Sequence, residues 1–324
     1  MNKSIFITRS IPEVGIKMLE DKGYRVDVYP KDRVPSQREL IKYLKKYPYD
    51  AVLCLLTDNI DAKVFDAVPS AKLFSTYTVG FNNIDAVEAK KRGITITNTS
   101  GSSRINVAEH AIALMLGLTT RMVEGDRFTR KGKYKGWTPM AFIGEDLTGS
   151  TIGLVGTGLI GSEVARILSR GFNSKIIYHD LNQNTQIEND CGAVRCTSLD
   201  ELLKQADIVS LHVPLLPSTH HLISKEKLEL MKKTALLINT SRGPVIDEKA
   251  LVVALKNKVI TGAGLDVYEF EPNLAPGLAK LENVIITPHI ASARESARIE
   301  MATISADNII DFFEGRVPRN KVNI

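Results

Sequence analysis

The tightest constraint in this chain is a glycine spacing. Gly156-Thr157-Gly158-Leu159-Ile160-Gly161 follows the apolar run Ile152-Gly153-Leu154-Val155 and opens a helical pattern. A GxGxxG spacing alone is weak, but between a strand and a helix each glycine has a task. The first permits a tight turn, the second lets a pyrophosphate approach the backbone, and the third allows the helix to pack closely on the strand. The helix start also offers unpaired N–H groups and positive dipole to phosphate. Asp180 ends the next strand, nineteen residues beyond Gly161. A carboxylate there accepts hydrogen bonds from ribose hydroxyls and repels a 2′-phosphate. No arginine follows in Leu181-Asn182-Gln183-Asn184, so NAD is the expected cofactor rather than NADP.

The remaining pattern predicts an α/β fold with parallel sheets, in two Rossmann-like domains. Strands are expected at 4–8, 25–29, 51–56, 72–77 and 94–98, and again at 152–155, 175–178, 208–213, 235–239, 260–265 and 284–287. Strands alternating with helical patterns imply parallel sheets covered on both faces. Helices are predicted over 12–21 and up to Lys46, the latter opened by a capping box of Ser36 and Glu39. Ser198 with Glu201 and Ser292 with Glu295 carry the same signature, the second starting a long amphipathic helix to about Glu314. One long helix is predicted from about Asn106 to Arg130. Its 108–118 stretch is apolar nearly all round, which predicts burial between domains or subunits. Residues 132–149 read as loop.

Composition narrows the partners. Apolar residues make up 44% and charged residues 24% of the 324, as in ordinary globular proteins. The net charge of +5 comes without a dense basic block, which argues against nucleic acid and suits an anionic substrate. No apolar run approaches the ~20 residues of a membrane span. The first ten residues hold only a short apolar run, so no signal peptide is expected. Cys54, Cys191 and Cys196 form no disulfide framework and fit a reducing cytoplasm. They lack partners at metal-ligand spacing, and no metal site is expected.

Three polar residues follow late strands, where an open α/β sheet places its ligand crevice. Arg242, after Ile238-Asn239-Thr240-Ser241, offers a planar fork to a carboxylate. His289, after Thr287-Pro288, can supply the proton that an alkoxide needs once a carbonyl has accepted hydride. Glu271, in Tyr268-Glu269-Phe270-Glu271-Pro272, can hold that imidazole protonated and oriented. The other histidines read as weaker candidates: His110 as structural, His179 and His212 as cleft-lining, His220 and His221 as loop residues.

The segments Gly156 to Gly161, His212 to Leu222, Asn239 to Asp247, Gly262 to Pro272 and Thr287 to Ser292 resemble the D-isomer-specific 2-hydroxyacid dehydrogenases over essentially the whole chain. The resemblance implies a cofactor domain (102–290) inserted into a substrate domain (1–101 and 291–324). It implies Arg242, Glu271 and His289 as the catalytic set, and Val213, Pro214, Thr240 and Asp266 as further cofactor contacts. Val52 to Asp58, Thr78-Val79-Gly80 and Gly125 to Phe128 resemble the glyoxylate/hydroxypyruvate reductase branch. There Val79 and Gly80 would present N–H groups to the substrate carboxylate, beside Arg242 and His289. Asn82 departs from the Asp of many relatives. The same resemblance implies a homodimer, with Trp137 either in a contributing segment or packed in the core. Alternatives within it are a D-lactate-type or phosphoglycerate dehydrogenase. The alternative of another class is a NAD-sensing, co-repressor-like binding protein.

Overall fold

The structure, a computed structural model, describes residues 3–323. Two compact units form, one running to Ser103 and resuming at Ala293, the other spanning Arg104–Ser292.

The first unit begins β1 (Ser4–Ile7), α1 (Glu13–Asp21), β2 (Arg25–Val28), α2 (Gln37–Leu44), β3 (Ala51–Cys54), α3 (Ala62–Ala67), β4 (Leu73–Thr76), α4 (Ala86–Lys91) and β5 (Thr95–Thr97). The strands form one parallel sheet in the order β2-β1-β3-β4-β5. Strands β1, β3 and β4 are buried along their whole length. Helices cover both their faces, so they read as continuous apolar runs rather than as alternation. The predicted capping box forms: the Ser36 hydroxyl accepts the Glu39 N–H, and the Glu39 carboxylate accepts the Ser36 N–H at 3.1 Å.

The second unit contains α5 (Arg104–Thr119), α6 (Met122–Arg130), β6 (Thr151–Val155), α7 (Leu159–Phe172), β7 (Lys175–His179), α8 (Thr185–Cys191), β8 (Val194–Arg195), α9 (Leu199–Gln205), β9 (Ile208–Leu211), α10 (Lys225–Leu230), β10 (Leu236–Asn239), α11 (Glu248–Lys256), β11 (Gly262–Leu265) and β12 (Val284–Ile286). Its sheet is parallel, in the order β12-β11-β10-β9-β6-β7-β8. Strand order reverses between β6 and β9. Sheets of this kind bind ligands outside the strand carboxyl ends at such a reversal. The chain then returns to the first unit as α12 (Glu295–Phe313).

Several local expectations are corrected. The single helix predicted over 106–130 is two helices, because Arg121 adopts a left-handed conformation (φ 53°) and its guanidinium turns onto Glu124 at 2.8 Å. No glycine or proline marks that break. The apolar 108–118 stretch is consumed inside its own unit, where Ala108, Ala111, Leu114 and Met115 pack with Ile152, Leu154, Val164 and Ile238. Ser292 does not cap α12, which starts behind Arg294 without a side-chain cap. Ser198 accepts the Glu201 N–H, but the Glu201 carboxylate turns to the N–H and hydroxyl of Thr197, both at 2.8 Å, so only half a capping box forms. Strand β8 was not predicted: it is two exposed residues without an apolar pattern.

Helices α1 and α12 touch at backbone distance. A Cβ on Gly15 would stand 2.8 Å from the Ala302 carbonyl oxygen and 3.0 Å from its Cβ. Gly15→Val therefore forces the helices apart at an expected cost of about 1–3 kcal/mol. The check is the urea midpoint followed by circular dichroism, and an unchanged midpoint would show that the contact can relax freely.

Candidate active site

The three glycines of the fingerprint stand in different surroundings. Gly156 has φ 90°, and a Cβ there would stand 2.9 Å from both the His212 carbonyl oxygen and Val213 Cγ1. A Cβ on Gly161 would stand 2.2 Å from the Gly156 oxygen. These two glycines serve the protein's own close packing, with the His212-Val213-Pro214 loop after β9 laid against the β6–α7 turn. A Cβ on Gly158 would meet nothing within 4 Å. The backbone there is open, and Gly158 caps α7 without any side-chain acceptor for the first helical N–H groups. That leaves donors for an anion.

Asp180 stands at the rim of this turn. Its Oδ2 accepts the Thr157 N–H at 2.7 Å and the Thr157 hydroxyl at 3.1 Å, and its Oδ1 accepts the Asn182 N–H at 3.2 Å. Burial pushes this carboxyl up, but the donated hydrogen bonds outweigh it and hold the group below the usual carboxylate range. Arg195 of β8 reaches over from the neighbouring strand, donating to the carbonyls of Asp180 (3.0 Å) and Leu181 (3.1 Å). The sequence around Asp180 gave no sign of it. Thr240, after β10, has a buried hydroxyl without a partner among the described residues. The half-buried His212 imidazole lies 2.9 Å from the Ser210 hydroxyl, and desolvation lowers its pKa to about 4. It is therefore neutral, with a single ring N–H, and lines the turn without a charge.

Arg242, Glu271 and His289 lie on the loops that follow β10, β11 and β12, three adjacent strands. Glu271 Oε2 sits 2.9 Å from His289 Nδ1, while Oε1 accepts the Tyr268 N–H at 3.0 Å. Burial pushes the Glu271 carboxyl up. The hydrogen bond and charge of His289, the Tyr268 N–H and the nearby Arg242 charge together hold it below the usual carboxylate range. Both side chains of the pair are 30% exposed. His289 Nδ1 is thus engaged by a carboxylate, and Nε2 is left for a reacting group.

The loops are locked from behind. Gly243 has no room for a Cβ, which would stand 1.9 Å from the Tyr268 carbonyl, so the Arg242 loop lies directly on the Glu271 loop. Asn239, buried at the end of β10, accepts the Ser241 N–H (3.0 Å) and hydroxyl (2.8 Å) and donates to the Arg242 carbonyl (3.0 Å). The half-buried Arg242 guanidinium donates to the Ser241 carbonyl at 2.6 Å and has no carboxylate within ion-pair distance among the described residues. Burial lowers its pKa, with Glu271 opposing, and an arginine starts so high that it stays charged. An unpaired, half-buried guanidinium is a site for an anion.

Asp266, expected as a cofactor contact, is turned inward and fully buried. Its Oδ1 accepts the Thr287 hydroxyl (2.5 Å) and the Ile290 N–H (2.8 Å), and its Oδ2 accepts the Ala291 N–H (2.8 Å). His110 Nε2 stands 3.0 Å from the Thr287 hydroxyl and 3.5 Å from Asp266. The carboxylate thereby holds the Thr287 side chain before His289 and the backbone after it, and His289 itself is left-handed (φ 53°) and donates its N–H to the Asp266 carbonyl at 3.0 Å. Tyr268 adds a bond from its hydroxyl to the Thr287 carbonyl at 2.7 Å. A second grip was also missed. His221 Nε2 lies 2.8 Å from Glu269 Oε1; Glu269 and the buried Glu248 accept one another's N–H groups; and Glu248 accepts the Ala275 N–H at 2.7 Å. The segment carrying Glu271 is pinned on both sides.

In the first unit, Val79 and Gly80 follow β4. Their carbonyls accept from Asn98 Nδ2 and the Thr78 hydroxyl, both at 2.7 Å, while their N–H groups have no acceptor among the described residues of that unit.

Residues 112–291 match the family model described as D-isomer specific 2-hydroxyacid dehydrogenase, NAD binding domain. The chain belongs to that family and is a pyridine-nucleotide oxidoreductase. A glyoxylate reductase of Korarchaeum cryptofilum is 45% identical, across 100% of this chain and 96% of the relative. One of Thermofilum pendens is 48% identical, across 98% and 94%. A crystal structure of a glyoxylate reductase from Paecilomyes thermophila superposes with TM-score 0.88 at 30% identity, covering 99% of this chain and 98% of that one.

The Asp266 grip generates a prediction. Burial pushes its carboxyl up, but the hydrogen bonds it accepts outweigh this and hold it below the usual value. The stability it adds is complete above the unfolded pKa of about 4 and is lost as pH falls toward the lower folded pKa. Asp266→Asn should be less stable at neutral pH and should show a flatter loss between roughly pH 5 and 3. Urea midpoints measured across that range test this; parallel curves for the two proteins would refute it.

Proposed function

We propose that this enzyme reduces glyoxylate, and with it hydroxypyruvate, to the corresponding D-2-hydroxy acid with NADH, the part that includes 102–290 holding the cofactor. The observation that carries the reading is the His289–Glu271 pair at 2.9 Å, joining the loops after β12 and β11, with an arginine without a carboxylate partner on the adjacent loop after β10. A 2-keto acid needs those two things, a cation for its carboxylate and a proton for its C2 oxygen. The names of the relatives point to glyoxylate as the acid.

The residues of the cradle fit the cofactor. Open backbone at Gly158, uncapped N–H groups at Leu159 and Ile160, and the turn at Gly156, Thr157 and Gly161 would hold the pyrophosphate. Asp180 would take the ribose hydroxyls through the lone pairs that Thr157 and Asn182 leave free. Val213, Pro214 and the unpartnered Thr240 hydroxyl would line the remainder. Asp266 would hold the His289 loop in place beside the cofactor. When bound, the reduced nicotinamide supplies hydride to C2. Arg242 would bind the substrate carboxylate bidentately. His289 donates the Nε2 proton to the C2 oxygen. Glu271 fixes the ring through Nδ1.

Among the described residues no helix is long and apolar enough to cross a membrane. The cytoplasmic location and homodimer remain part of the proposal. Support for the dimer comes from the segment after α6, where Trp137 is 81% and Met140 76% exposed.

Loss of NADH absorbance with glyoxylate, hydroxypyruvate, pyruvate and phosphohydroxypyruvate in parallel, NADPH serving as control, tests the reading. Rapid turnover of the first two with NADH is expected. Tight NADH binding with no turnover of any acid would point to a sensor instead. His289→Gln should lower kcat by ~10²–10⁴-fold, and an unchanged kcat would remove it from the proton step. Asp180→Ala should raise KM for NADH while narrowing the gap to NADPH; equal KM values in both proteins would break the ribose assignment.

A further inference from the structure

We propose that His220, His221 and Glu269 form a binding site for one transition-metal cation of the zinc class, separate from the catalytic set. Each residue offers one ligand atom, and the three atoms lie within 4.8 Å of one another. Successive side chains normally diverge, but here the two imidazoles stack, with centroids 4.1 Å apart and planes 28° apart. The cause is the left-handed conformation of His221 (φ 50°), held by its N–H on the Pro244 carbonyl at 2.8 Å. Glu269 approaches from the loop after β11 and is already fixed by the Glu248 N–H at 3.2 Å.

The donor set selects the ion. Two imidazole nitrogens and one carboxylate oxygen suit zinc, nickel or copper, and suit magnesium or calcium poorly. Zinc takes such ligands at about 2.0–2.2 Å in a tetrahedron, which places ligand atoms roughly 3.3 Å from each other. The present spacing runs from 2.8 Å, between His221 and Glu269, to within 4.8 Å, and so brackets that value. Small rotations of the exposed His220 ring close the longer separations. The cation would take over the bridge that His221 now makes to Glu269 by hydrogen bond, and the buried Glu248 carboxylate behind Glu269 adds further negative charge. Three protein ligands leave a fourth position for water.

The test uses the full chain, freed of metal with EDTA and titrated with zinc chloride by calorimetry. One equivalent is expected for the unmodified protein, with affinity at least tenfold weaker in His220→Ala. That exposed residue lies outside the catalytic set, so turnover and circular dichroism of the metal-free variant should be unchanged. Cobalt(II) gives an independent readout: visible d–d bands that depend on His220. No saturable uptake by the unmodified protein, or equal zinc affinity and equal cobalt bands in His220→Ala, would overturn the site.

Discussion

A single fully buried carboxylate, Asp266, holds the chemistry of this protein in place. Burying a charge is costly unless it is paired or hydrogen-bonded. Asp266 meets that requirement with the Thr287 hydroxyl and the N–H groups of Ile290 and Ala291, and its own carbonyl takes the N–H of His289. These bonds span the residue they constrain. They hold His289 in a left-handed conformation that an unsupported histidine adopts only occasionally. The imidazole can then point its Nδ1 at Glu271. The cost of the buried charge and of the unusual backbone is met by one hydrogen-bond set.

The same logic extends across β10, β11 and β12. Their carboxyl ends sit side by side, so three short loops bring Arg242, Glu271 and His289 to one edge of the sheet. Each loop is fixed to its neighbour or to the sheet: Asn239 folds the first, backbone contact at Gly243 joins the first to the second, and the Tyr268 hydroxyl joins the second to the third. Residues within a shared network of this kind respond to substitution non-additively. At the other end of the crevice, the β6–α7 turn and the loop after β9 meet where strand order reverses, with a neutral His212 between them.

What could be read from the sequence follows from how local each signal is. The glycine fingerprint and Asp180 lie in one strand–turn–helix–strand stretch, so spacing alone placed them. Arg242, Glu271 and His289 were legible because each follows an apolar run at the end of which a parallel sheet exposes its loops. The grip of His221 on Glu269 joins segments far apart in the chain, and no periodicity announces such a pairing. Arg195 escaped notice because it comes to Asp180 from an adjacent strand of two exposed residues. The break at Arg121 was invisible for a different reason: an arginine there carries none of the turn chemistry of glycine or proline, and its conformation is held by Glu124 and the packing around it. Asp266 was placed correctly at the end of β11, but whether it faces ligand or core depends on the backbone it meets there.

The all-parallel second sheet also shapes how this protein comes to be folded. Strand β6 pairs with β7 nearby in sequence, but its other partner, β9, arrives only after β7, β8 and three helices have been laid down. Pairings of this range are slow because loop entropy is lost before contacts compensate it. The crevice at the strand reversal does not exist until β9 docks, since one of its two walls is the His212-Val213-Pro214 loop. A nascent or refolding chain therefore forms its glycine turn early and the complete crevice late, so that the crevice marks closure of the sheet rather than formation of the motif.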